Sequence, residues 1–341
     1  MTPNSPFPQT VAITGAAGFI GSRVLEDWAR KRPAANLLAV DHPLVESKSG
    51  NLDVAPGVPF LDHTTFVARL ERGELAPDLI IHLGACSSTT ETSWDYLADN
   101  NLRYSQRVWD WCAANGRQLI YASSAATYGD GSQGFDDEQP IQRLRPLNLY
   151  GKSKHDFDLW VEEQVASGVA TPKQSVGLKF FNVFGPGETH KGRMASMVFH
   201  GWHQIREQGR VRLFQSHRPG YADGGQLRDF ISVGDVVRVI AALAERPQVS
   251  GLFNLGTGRA ESFRTLIEAV FLTMAREPQI DYIPMPADLQ GKYQYFTEAT
   301  MAKLARSGVP YVPTPLTSAV ADYVQRLAAE GARSKELRAG G

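Results

Sequence analysis

The chain has 341 residues, 43% hydrophobic and 21% charged, with a formal net charge of −1. That balance gives no electrostatic drive toward nucleic acid or an anionic membrane, and no apolar run approaches the ~20 residues of a bilayer span. Two cysteines, Cys86 and Cys112, neither in a CxxC pair, exclude a disulfide framework and a structural zinc site.

The opening MTPNSPFPQT has no basic n-region and no apolar core, so it is not a secretory signal and a cytoplasmic protein is expected. After this lead-in, TVAIT is a β-rich run, and FIGSRVLEDWARKR is a helix with Ile20, Val24, Leu25 and Trp28 on one side. NLLAVD and DLIIHLGA are the second and third strands. A long helix follows from Ser93 and ends at Gly116, a good C-cap residue. QLIYASS is a strand, NLYGKSKHDFDLWVEEQVA a helix beginning after Pro146, and SVGLKFFNVFG a strand. Beyond Phe184 come a helix in RMASMVFHGWHQIREQG, a loop in SHRPGYADGGQL, a helix in SVGDVVRVIAALAERP and a strand and turn in GLFNLGTG. Apolar strands alternating with helices predict an α/β fold, a Rossmann-type doubly wound parallel sheet with a smaller mixed α/β lobe. The expected dinucleotide domain spans 1–181 and about 227–258. Segments 182–226 and 259–330 form the second lobe, and 331–341 is expected to be a disordered tail.

In TGAAGFIG, Gly15, Gly18 and Gly21 recur every third residue between the first strand and the first helix. The first glycine permits the tight turn, the second admits a pyrophosphate, and the third allows close packing, with the helix N-terminus facing the phosphate charge. Asp41 ends the second strand, 20 residues after Gly21, where an acidic group meets an adenosine ribose. Asp41 alone favours NAD, whereas His42 and Lys48 in the same loop suit the 2′-phosphate of NADP.

Tyr150 and Lys154 stand four residues apart on the predicted helix and therefore share a face. Ser123 and Ser124 end the preceding strand, at the carboxyl edge of the sheet where ligands sit. A serine there holds a substrate hydroxyl while Tyr150 takes its proton, and an adjacent ammonium lowers a phenol pKa from near 10. This is general-base chemistry coupled to hydride transfer. His200 and His203 have the spacing of a metal pair but no third ligand, so no metal is expected. Of Trp109 and Trp111, one is expected in the core and one at an interface.

Gly15-x-x-Gly18-x-x-Gly21, Ser124 and Tyr150-x-x-x-Lys154 together resemble the extended short-chain dehydrogenase/reductase family, within its NAD-dependent epimerase/dehydratase branch. Further runs, GACSSTTE, FNVFGPGETHKGRMAS, RDFISVGDV, FNLGTGRAESF and KYQYFTEA, resemble the members that invert C6 of an ADP-heptose. That resemblance implies tightly bound NADP, with NAD as the alternative, an ADP-sugar substrate and a homo-oligomer, five-membered by the same likeness. It makes Tyr150 and Lys191 the two proton-transfer groups, Lys154 the holder of the nicotinamide ribose, and Ser124 the partner of the reacting oxygen. Phe19, Ile20, Leu83, Gly84, Ala85, Ser87, Asn100 and Val183 complete the implied cofactor site. Asn182, Arg193, His200, Phe214, Gln215, Arg228 and Tyr293, with Ser87 and Lys191, are implied for the sugar nucleotide. His63 occupies the place of an expected second lysine, and the 216–227 loop is longer than usual. A 4,6-dehydratase wants an acidic pair after Ser124, where this chain has Ala125 and Ala126. A 4-epimerase, a dehydrogenase, or a non-catalytic nicotinamide sensor are the alternatives.

Overall fold

The computed structural model describes residues 8–43, 48, 50–286 and 293–339; the lead-in before Pro8 lies outside them. A parallel sheet organises the chain. Its strands are β1 (Thr10–Thr14), β2 (Asn36–Asp41), β3 (Phe60–Asp62), β4 (Leu79–His82), β5 (Gln118–Ser124), β6 (Gln174–Phe180) and β10 (Gly251–Leu255). They lie in the order β10-β6-β5-β4-β1-β2-β3. The order reverses between β1 and β4, so a crevice opens there beyond the strands' carboxyl ends.

Helix α1 (Phe19–Lys31) covers one face, burying Val24, Leu25 and Trp28, together with α7 (Val233–Ala244). The other face carries α2 (His63–Glu71), α4 (Tyr104–Ala114) and α5 (Leu149–Ser167). A second core forms where α6 (Met197–Gln208), α8 (Phe263–Thr273) and α10 (Leu316–Ala339) pack around β8 (Val211–Phe214). β12 (Ile280–Ile283) pairs with β8, and β7 (Asn182–Phe184), β9 (Leu227–Ser232) and β11 (Ala260–Ser262) form a three-stranded sheet.

Several expectations change. SVGLKFFNVFG is two strands, not one: the chain leaves the large sheet at Phe181, and β7 pairs with β9 instead. β3 and α2 had no counterpart in the sequence reading; a three-residue edge strand carries too little alternation to register, and α2 starts on a side-chain cap, Asp62 accepting from the amides of Thr64 and Thr65. The long helix from Ser93 is α3 (Trp94–Leu97), a π-helical turn Ala98–Arg103, then α4. α10 runs to Ala339, through most of the expected disordered tail, where Ala, Arg, Lys, Glu and Leu favour helix. Trp109 and Trp111 are both core residues, donating to Ser175 Oγ and to the Leu70 carbonyl. Among the described residues no helix is long and apolar enough to cross a membrane.

Candidate functional site

The crevice between β1 and β4 opens into a cleft of about 490 Å³. Gly15 sits at φ 69°, and a Cβ there would lie 2.7 Å from the Gly84 amide nitrogen. A Cβ on Gly21 would fall 2.0 Å from the Gly15 carbonyl. Both glycines are therefore demanded by close backbone approach. α1 begins at Gly18 with no side-chain cap and no acid in its first turn, which leaves its amides and positive dipole end facing the cleft. That cradle fits a dinucleotide pyrophosphate. The Asp41 carboxylate accepts from the amides of Ala17 (2.9 Å) and His42 (2.8 Å), and Lys48 Nζ lies 3.9 Å away. The His42 and His63 rings stand 3.9 Å apart, and His63 Nδ1 is buried without a hydrogen-bond partner among the described residues.

Ser124 and Tyr150 meet at the mouth of the crevice. Asn148 Oδ1 caps the start of α5 by accepting from the Gly151 amide, which fixes the turn that carries Tyr150. Burial pushes the half-buried Tyr150 phenol above its ordinary value, and a hydrogen bond with Ser124 pulls it back down. Ser123 is already engaged, since its hydroxyl donates to Asp158 (2.7 Å), which also pairs with the fully buried Lys179 (2.9 Å). Lys154 is buried in the same wall. Its ammonium donates to the Ala122 carbonyl at 2.9 Å, and burial lowers its pKa to about 8.

Lys191 lies on the Thr189–Met194 turn, half-buried, its ammonium 5.1 Å from the Phe19 ring centre. Burial lowers its pKa and Glu188 opposes that. Asn51 Nδ2 bonds Ala17 O (3.0 Å) and Gly187 O (3.3 Å), tying this loop to the glycine-rich turn.

The cleft wall brings together Gly15, Gly18, Phe19, Ile20, Gly21, Asp41, His42, Lys48, Leu83, Gly84, Ala85, Ser87, Asn100, Ser124, Tyr150, Lys154, Asn182, Val183 and Lys191. Arg193, His200, Phe214, Gln215, Arg228 and Tyr293 are not in that wall. Three of these form their own group: the buried Arg228 guanidinium stacks 5.0 Å over Tyr293, which meets Phe214 edge-on at 6.3 Å. Arg228 also lies 5.7 Å over Phe263, a cleft residue, so the group adjoins the cleft. No ion pair engages Arg228 among the described residues. His200 lies on α6 beside Phe199, and Arg193 is exposed. No cluster of three or more metal-ligating residues occurs among the described residues. His63, which stands in the place of an expected lysine, lines the cleft; Thr14, Tyr104 and His190 line it too but carried no signal in the sequence, being scattered over three segments.

A sequence profile of the NAD dependent epimerase/dehydratase family matches residues 11–256. ADP-L-glycero-D-manno-heptose-6-epimerase of Nitratidesulfovibrio vulgaris is 47% identical over 92% of this chain and 96% of its own. The same-named protein of Fusobacterium nucleatum is 43% identical over 94% and 98%. Among solved structures, ADP-L-glycero-D-manno-heptose-6-epimerase of Helicobacter pylori superposes with a TM-score of 0.79 at 26% identity, covering 96% of this chain and 98% of that one.

Proposed function

The chain belongs to the NAD dependent epimerase/dehydratase family, and from that premise we propose that it inverts C6 of ADP-D-glycero-D-manno-heptose to give ADP-L-glycero-D-manno-heptose. The cofactor is a nicotinamide dinucleotide; when bound, it supplies reversible hydride acceptance. We infer NADP from Lys48 beside Asp41 and the His42–His63 pair, which offer cationic or hydrogen-bonding partners to a 2′-phosphate.

The carrying observation is that Tyr150, held against Ser124, and Lys191, on a separate loop, line one cleft. Inversion through a ketone requires the C6 oxygen to lose its proton in one orientation and regain it in the other. Ser124 positions the oxygen, Tyr150 exchanges its proton in one orientation, and Lys191, its pKa lowered by burial, does so in the other. Lys154 holds the ribose side of the cofactor. Arg228, buried and stacked on Tyr293, takes the diphosphate of the sugar nucleotide.

Incubating the purified protein with ADP-D-glycero-D-manno-heptose and, separately, with UDP-glucose tests the reading. The expected result is the L-glycero epimer from the first and no reaction from the second; turnover of UDP-glucose alone would transfer the site to a 4-epimerase. Because each turnover is redox-neutral, the cofactor is expected to stay bound, and mass spectrometry of small molecules released on denaturation is expected to find NADP. A released fraction consisting mostly of NAD would remove Lys48 from phosphate recognition.

A further inference from the structure

His82 ends β4 and is 3% exposed, inside the wall behind the cleft. Its Nδ1 lies 2.7 Å from Thr14 Oγ1 and its Nε2 lies 2.9 Å from Ser105 Oγ. The hydroxyl directions follow from their other partners. Ser105 Oγ donates to the Asn101 carbonyl (2.7 Å), so it accepts from an Nε2–H on His82. Thr14 Oγ1 accepts from the Gly84 amide (3.1 Å), which leaves its own proton for Nδ1. The imidazole is thus neutral and of one tautomer. Burial and the nearby Lys154 charge both oppose its protonation, holding its pKa near 3.

The chain does not stop at Asn101. This fully buried residue sits in the π-helical turn Ala98–Arg103. The irregular turn puts Asn100 on the cleft wall and directs the next residue, Asn101, inward. The Asn101 amide accepts from the Cys86 amide (2.8 Å) and donates to the Cys86 carbonyl (2.9 Å) and to Ser153 Oγ (2.9 Å). Ser153 Oγ in turn donates to the Tyr150 carbonyl at 2.8 Å. One polarised series of hydrogen bonds therefore joins the end of β1, the loop after β4, the π-helical turn and the first turn of α5.

We propose that His82 is a positioning residue for the reaction: a neutral imidazole that, through Ser105, Asn101 and Ser153, registers the helix turn carrying Tyr150 against the dinucleotide-binding loops. An apolar side chain at position 82 would fill the same space but leave the Thr14 hydroxyl proton without its acceptor and the Ser105 oxygen without its donor inside the wall. The consequence for catalysis is a misplaced base, and a displacement of about 1 Å costs up to ~10²-fold in rate. The inference rests on the epimerase reading for its kinetic readout only.

Replacing His82 itself risks the fold, so the links on either side of Asn101 are the variants of choice. Ser105→Ala, Ser153→Ala and their combination are made in the full-length, cofactor-loaded protein. Turnover of ADP-D-glycero-D-manno-heptose is measured, with amide hydrogen exchange over 149–154. Each single variant is expected to lower kcat about tenfold while KM moves less than about twofold. The double variant is expected to be about as slow as the worse single, because the bonds act as one unit. Exchange in the first turn of α5 is expected to quicken in Ser105→Ala, although Ser105 itself hydrogen-bonds His82 and Asn101. A normal kcat in Ser105→Ala, multiplied losses in the double variant, or unchanged exchange in 149–154 would each overturn the proposal. If the wild-type protein does not turn over the sugar nucleotide, the functional reading fails, and the exchange result alone decides the role of His82.

Discussion

Tyr150→Phe is expected to lower kcat by about 10²–10⁴-fold, the usual contribution of a general base, with the cofactor retained. The substitution removes one hydroxyl and almost no volume from a half-buried position at the cleft mouth. What is lost is the group hydrogen-bonded to Ser124 at the carboxyl edge of β5. The glycine-rich cradle and the contact of Lys154 with the Ala122 carbonyl do not involve the phenol oxygen, so dinucleotide binding has no reason to change. The phenol in this structure is held high by burial, and Lys154 carries its charge only below about pH 8. In the proposed mechanism that cation and Ser124 together make the oxygen basic. Retention of more than about a tenth of the wild-type rate at saturating substrate would remove Tyr150 as the base.

Lys191→Met is expected to abolish epimerisation in both directions, again by about 10²-fold or more. Methionine keeps an apolar stem and deletes the ammonium that lies over Phe19. Both directions are expected to suffer because, in the proposed mechanism, each uses one group to remove the proton and the other to return it. The loop itself is anchored independently: Glu188 accepts from the Ser196 amide (2.7 Å) and hydroxyl (2.6 Å), and Asn51 bridges it to Ala17. The variant should therefore keep its fold and its cofactor. A near-normal rate in either direction would leave a ketone mechanism standing and take Lys191 out of it.

What could be read from the sequence was what depends on local spacing. Gly15, Gly18 and Gly21 announce a strand–turn–helix cradle because the clashes that require them lie within a few residues or in the neighbouring βα loop. Tyr150 and Lys154 share a helix face by periodicity alone. Features set by distant partners were not legible. Nothing in the local run ADNNLR tells that Asn101 closes on Cys86 and Ser153, because a π-helical turn rotates it there. His82 read simply as part of an apolar strand, since both its partners are 23 or more residues away. The break at Phe181 was hidden for a similar reason: both halves of SVGLKFFNVFG are β-rich, and only pairing with β10 and then β9 separates them. The Ala122 carbonyl that accepts from Lys154 was equally hidden, because no side-chain pattern reveals a main-chain acceptor.

The central claim is that C6 is inverted by removal and return of the same hydrogen. It is tested most directly by letting the cofactor-loaded protein equilibrate ADP-D-glycero-D-manno-heptose in deuterated water and examining the product by NMR and mass spectrometry. The account predicts the L-glycero epimer with protium retained at C6. Deuterium at C6 of the product would contradict it.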